Sequence, residues 1–167
     1  MDGTLISCDR VAGLRENGNG LWYSGTARRF AGNIPSRAAP DGTPLGISEV
    51  EPASIPDITA ARIHALPALY KAATDGLPSL AGLGYQGAGI GIHTPTHDRL
   101  LRGLRALGER AAAHLEQRWR VLQHVTLSPA HIGAITQAAL VLDRASGLLF
   151  ASQPAGRWLA RRRRPFG

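Results

Sequence analysis

Three acidic residues stand in settings that suit a divalent metal. They are Asp2 in Met1-Asp2-Gly3-Thr4-Leu5, Asp57 in Pro56-Asp57-Ile58-Thr59-Ala60-Ala61-Arg62, and Glu109 in Leu107-Gly108-Glu109-Arg110-Ala111. Clustered carboxylates are what in-line chemistry on a phosphodiester requires. Their hard oxygens suit Mg²⁺ or Mn²⁺, and two such ions roughly 4 Å apart stabilise both the attacking and the leaving oxygen. Each gap between the acids is about fifty residues, long enough for strands and a helix to intervene. Asp57 also has a plainer reading, because an anion near a helix start is favoured by the helix dipole.

The elements that must position these acids follow from hydrophobic spacing and turn residues. Thr4 to Cys8 reads as a short strand, and Asp9 to Gly25 as a polar, glycine-rich loop. Arg28 to Ala39 is a poor strand candidate, broken by Pro35 and Ser36. Pro40-Asp41-Gly42-Thr43-Pro44 is a strong turn, with Leu45 to Val50 as the returning strand of a hairpin. A helix opens at Asp57, with Ile58, Ala61, Ala65, Leu66 and Leu69 at helical spacing and a bend or break at Pro67. Leu77 to Leu83 reads as a short strand, followed by the glycine loop Gly84-Tyr85-Gln86-Gly87-Ala88-Gly89 and a brief extended piece at 90–92. The longest helical pattern runs from His97 to Leu122, with an apolar stripe from Leu100 through Leu115 to Trp119. Glu109 and Arg105, four residues apart, share a face of it. A last helix spans Ser128 to Asp143, opened by Ser128-Pro129.

Composition bounds the class. At 167 residues, 44% of them hydrophobic and 19% charged, the chain is globular and has enough apolar content for one core. Residues 1–145 read as one domain, and 146–167 as a basic, disordered tail ending in Arg161-Arg162-Arg163-Arg164. The net charge of +7 favours polyanionic partners. A single cysteine, Cys8, excludes an internal disulfide framework and fits a reducing cytoplasm. No apolar run approaches the length of a membrane span, and no secretion signal is recognisable.

Other motifs carry less. Asp2-Gly3-Thr4 invites comparison with haloacid-dehalogenase-type phosphatases, whose nucleophilic Asp stands two places earlier, outside this chain. His93 and His97 have helical ligand spacing, but Pro95 between them favours a pair of loop histidines. Cys8 has no nearby base and reads as a small buried hydrophobe. The glycine loop does not match a dinucleotide fingerprint.

Taken in order, the local words are distinctive. Asp2-Gly3-Thr4, the Pro56 to Arg62 stretch, the Gly84 to Gly89 loop, Leu104-Arg105-x-Leu107-Gly108-Glu109-Arg110 and Arg118-Trp119-Arg120-x-Leu122 together resemble the DDE transposases of bacterial insertion sequences, in the group allied to Harbinger elements. The likeness runs from Asp2 to about Asp143. It implies an α/β fold, a ribonuclease H-like mixed sheet flanked by helices and incomplete at its first strand. It further implies that Asp2, Asp57 and Glu109 are the catalytic, metal-holding acids, with Mg²⁺ or Mn²⁺ as cofactor. Transposon ends and target DNA are the implied partners, alongside a homo-oligomer or a full-length transposase. Arg105, which matches an Arg of the family's late helix, is a candidate DNA contact together with Arg110 and Arg118.

The chain also departs from that pattern. The family's basic residue seven after the Glu is replaced by Glu116. Relatives have an Asp shortly before the Gly-Tyr of the glycine loop, where this chain has Ala81-Gly82-Leu83, and a His where Pro56 stands. With almost nothing ahead of Asp2, these differences point to a degenerate or partial copy. The alternative expectation is therefore a non-catalytic remnant that binds DNA or protein through its basic surface.

Overall fold

The computed structural model describes residues 1–94 and 99–151, leaving aside the side chains of 99–105, 107–108 and 148–151. Its centre is β3 (Arg29–Ala38), flanked on one edge by β1 (Asp2–Ser7) in antiparallel register from Asp2↔Ser36 to Ser7↔Ala31. The short strands β2 (Tyr23–Ser24), β4 (Pro44–Ile47) and β5 (Glu51–Pro52) also pair with β3, all antiparallel. The stretch expected to be a poor strand is thus the longest strand described. The partner edge explains how Pro35 is tolerated. A strand residue directs its N–H and its carbonyl to the same edge. The Pro35 carbonyl accepts from the Ser48 backbone and hydroxyl, in the gap between β4 and β5, so the missing N–H costs no ladder bond.

The hairpin turn lies where the sequence placed it. Ala39 and Thr43 close it, and the Asp41 carboxylate accepts from the Thr43 N–H, which holds that carboxyl below its usual range. Beyond the sheet, α1 (Asp57–His64) and α2 (Leu66–Thr74) replace the single bent helix expected there. Ala65 breaks them apart at φ −124°, and Pro67 sits in the first turn of α2, where its missing N–H is harmless. Two strands, β6 (Ser79–Leu80) and β7 (Ile92–His93), form a small parallel pair around the glycine loop. Two long helices close the chain: α3 (Arg99–Arg118) and α4 (Ile132–Ala151). The last helix continues eight residues past the Asp143 end read from the sequence, so residues 146–151 are helical and not tail. The Arg161–Arg164 run lies outside the described residues.

Strand alternation sorts the apolar residues onto two faces. On one, Ile6 and Ile34 pack with Leu115, Leu122, Val125, Ile132 and Leu140, beneath α3 and α4. The other cluster joins Ala61, Ala65, Leu66, Leu69, Ala81 and Tyr85, with Met1 packed against it. The fold is accordingly mixed α/β, an open sheet with helices. Among the described residues no helix is long and apolar enough to cross a membrane.

Candidate functional site

The start of β1 is where the candidate acids gather. Asp57 opens α1, and its Oδ1 accepts a hydrogen bond of 2.8 Å from Asn33 Nδ2 in the middle of β3. The same Asn33 nitrogen donates to the Ile55 carbonyl at 3.2 Å. Glycines make room for the carboxylate. A methyl placed on Gly3 would lie 2.7 Å from Asp57 Oδ1, and one on Gly84 would lie 3.0 Å from Oδ2. Asp57 therefore rests directly against the backbone of β1, one residue from Asp2, with the glycine loop on its other side.

Asp2 is the first residue of β1. Its Oδ1 accepts from the Gly3 N–H at 3.1 Å, and its carbonyl accepts from the Ser36 hydroxyl at 3.2 Å. Burial pushes the Met1 ammonium below its usual pKa, and the Asp2 carboxylate beside it works in the opposite direction. That ammonium donates to the Leu80 carbonyl, and the Gly82 N–H donates to the Met1 carbonyl. Gly82, in the segment where relatives carry an Asp, thus lies next to the first acid.

The pleat separates the first two acids. Asp2 shares its parity with Thr4 and Ile6, which face α3 and α4, whereas Asp57 lies on the side toward which Gly3 would project. They occupy the same end of β1, on opposite sides of its backbone. Glu109 is exposed on α3, the helix that covers the Asp2 face. Ala112 and Glu116, three and seven residues further on, share its stripe. They line a cavity of about 20 Å³ with Thr4, Ile6 and Ser36. Glu109 is thus placed on the stripe of α3 that faces β1. Among the described residues, no three His, Cys, Asp or Glu side chains come together as a group able to hold a metal.

Two buried polar residues that the sequence reading passed over belong here. Asn33 is 1% exposed, and its Oδ1 has no hydrogen-bond partner among the described residues. Tyr85 is also 1% exposed with an unpartnered hydroxyl. Burial, then the Asp57 carboxylate, then that of Asp2 push its phenol far above the ordinary range. Asn33 went unnoticed because its segment read as broken, and Tyr85 because the loop was read for its glycines. The available signal was a lone amide in an otherwise apolar Phe30-Ala31-Gly32-Asn33-Ile34 run.

The remaining candidates are dispersed. Arg118 Nε lies 3.0 Å from Asp143 Oδ1, an ion pair tying α3 to α4, and Arg110 is exposed. The side chain of Arg105 and all of His97 fall outside the described residues. His93 ends β7. Cys8 is buried, and burial followed by the neighbouring Asp9 raises its thiol pKa. Comparison of the chain with protein-family models, with curated proteins and with solved structures finds no match to any of them.

Proposed function

We propose that this chain is the catalytic domain of a DDE transposase with a ribonuclease H-like fold. In that role it is a metal-dependent DNA endonuclease and strand transferase acting on insertion-sequence ends. The observation that carries the reading is the meeting of Asp2 and Asp57 at one end of β1, where Asp57 Oδ1 lies 2.7 Å from the place a Gly3 methyl would take. Two acids separated by more than fifty residues are brought within one residue of the same strand position, and the third stands on the helix over Asp2.

Asp2, Asp57 and Glu109 would hold the metal, whose oxygen-seeking chemistry suits Mg²⁺ or Mn²⁺. When bound, such ions activate a water or a 3′-hydroxyl and stabilise the leaving oxygen. The chain's own contribution is orientation. Asn33 fixes one Asp57 oxygen, Gly3 and Gly84 set how closely that carboxylate approaches β1, and α3 carries Glu109 over the Asp2 face. The basic balance of the chain supports DNA as the partner, and the single buried thiol fits a cytoplasmic setting.

A second reading, a non-catalytic remnant that binds DNA or a full-length transposase, is favoured by two observations. The described residues hold no three-residue metal group, and Gly82 stands beside Met1 where a carboxylate would help. The experiment that separates the two is nicking of DNA carrying cognate ends. The proposed function expects nicking with Mg²⁺ or Mn²⁺ that disappears in Asp57→Ala. Absence of nicking with both metals, together with salt-dependent DNA binding that survives Glu109→Ala, would establish the remnant.

A further inference from the structure

We propose that Asn33 is a positioning residue for Asp57, holding that carboxylate in the orientation from which it binds a divalent cation. The inference rests on the functional reading above, in which Asp57 is a metal ligand.

Asn33 sits at the middle of β3, opposite Leu5, and faces the start of α1. Its amide nitrogen serves two acceptors, the Ile55 carbonyl and Asp57 Oδ1. These come from the residue before Pro56 and from the first residue of α1, so one side chain spans the turn that begins the helix. The orientation of the amide is fixed by this pairing. Rotating it by half a turn would set its oxygen against two acceptors and lose both bonds. The carboxylate is thereby confined on both sides, with Oδ1 on the Asn33 nitrogen and Oδ2 against Gly84. A neutral donor on one oxygen leaves the negative charge in place and determines where it points. Metal-binding carboxylates are generally held in this way, and removing such a support weakens metal affinity by roughly 10–100-fold.

Helix-start stabilisation alone would explain the same hydrogen bond, so the test needs a readout that a structural role does not move. Mn²⁺ binding to the full chain is titrated by electron paramagnetic resonance, alongside a thermal melt, for three proteins. These are the wild type, Asn33→Ser, and the exchanged pair Asn33→Asp with Asp57→Asn. Asn33→Ser, whose hydroxyl is too short to reach Asp57, is expected to fold and to bind Mn²⁺ roughly 10–100-fold more weakly. The exchanged pair keeps an amide-to-carboxylate hydrogen bond across the same gap. It should melt near the wild type, and it should bind Mn²⁺ at least about tenfold more weakly, because the charge has moved onto β3. If Asn33→Ser does not fold, the exchanged pair decides. Wild-type Mn²⁺ affinity in either folded variant overturns this inference and leaves the functional reading standing. No Mn²⁺ binding by the wild type overturns both.

Discussion

Replacing Gly3 by alanine tests the geometry at the start of β1 most sharply. The added methyl would lie 2.7 Å from Asp57 Oδ1, 2.8 Å from Cγ and 3.1 Å from Oδ2. Gly3 has no positive φ, so backbone strain adds nothing. The carboxylate must therefore move, and its routes are restricted, with Asn33 on one oxygen and Gly84 against the other. Losing a hydrogen bond to a charged group costs about 1.5–3 kcal/mol. Against that, alanine restricts the unfolded chain and stabilises by about 0.4–1 kcal/mol. The difference leaves a net destabilisation of about 1–2 kcal/mol, which for a chain of this size lowers the melting temperature by roughly 2–8 °C. The assay is urea unfolding of four proteins: wild type, Gly3→Ala, Asp57→Ser and the double variant. In the Asp57→Ser background the crowding is gone, so Gly3→Ala should become neutral or stabilising, giving a coupling of about 1–2 kcal/mol. A Gly3→Ala protein as stable as wild type, or a coupling near zero, would refute the placement of Asp57 against β1.

Three further outcomes follow from the same structure. At Gly91, where φ is +76° and a methyl would lie 2.2 Å from Ala73 Cβ, alanine should cost about 2–5 kcal/mol. At Gly76, with φ +81° and nothing within 4 Å, it should cost only about 1–2 kcal/mol, and paired urea titrations compare the two. Tyr85→Phe removes a buried, unpartnered hydroxyl and should raise stability at pH 7 by about 1 kcal/mol, whereas a loss above about 2 kcal/mol would mean that the hydroxyl has a partner. Because the folded-state phenol pKa lies above its ordinary 10.0, the Tyr85 contribution is complete below pH 10 and declines as the pH climbs beyond it. Melts from pH 8 to 11 should show that alkaline decline weakened in the Phe variant. Burial raises the Glu116 carboxyl above its ordinary 4.5, with Arg29 opposing. Its stabilising contribution is therefore present below pH 4.5 and lost as the pH rises through the raised value, so Glu116→Gln should equal wild type in acid and exceed it at neutral pH.

Much of this architecture was legible because periodicity and punctuation agree with it. The apolar stripe of α3, the turn around Asp41 and Gly42 and the break at Pro67 each express a local rule, and each appears where that rule puts it. What escaped was non-local. Pro35 argued against a strand because nothing in its neighbourhood reveals that its edge faces a gap between β4 and β5. The end of α4 was missed for the converse reason. Residues after Asp143 carry no periodic signal strong enough to show that the helix continues to Ala151. The acids divide along the same line. Their local words marked Asp2, Asp57 and Glu109, and the structure brings the first two to one strand end. The pleat that sends Asp2 and Asp57 to opposite sides of β1 depends on pairing register, which spacing does not encode. Asn33 and Tyr85 depend on it too, since both acquire their meaning only from what folds against them.

The central claim is that Asp2, Asp57 and Glu109 share one cation. Paramagnetic broadening of backbone amide resonances by sub-stoichiometric Mn²⁺ tests it most directly. A shared pocket should erase the signals of Gly3, Gly84 and Glu109 together and spare those of Asp9 and Val125 at the far end of β1. Broadening confined to the Asp57 side with Glu109 untouched, or spread evenly over the acidic surface, would contradict it.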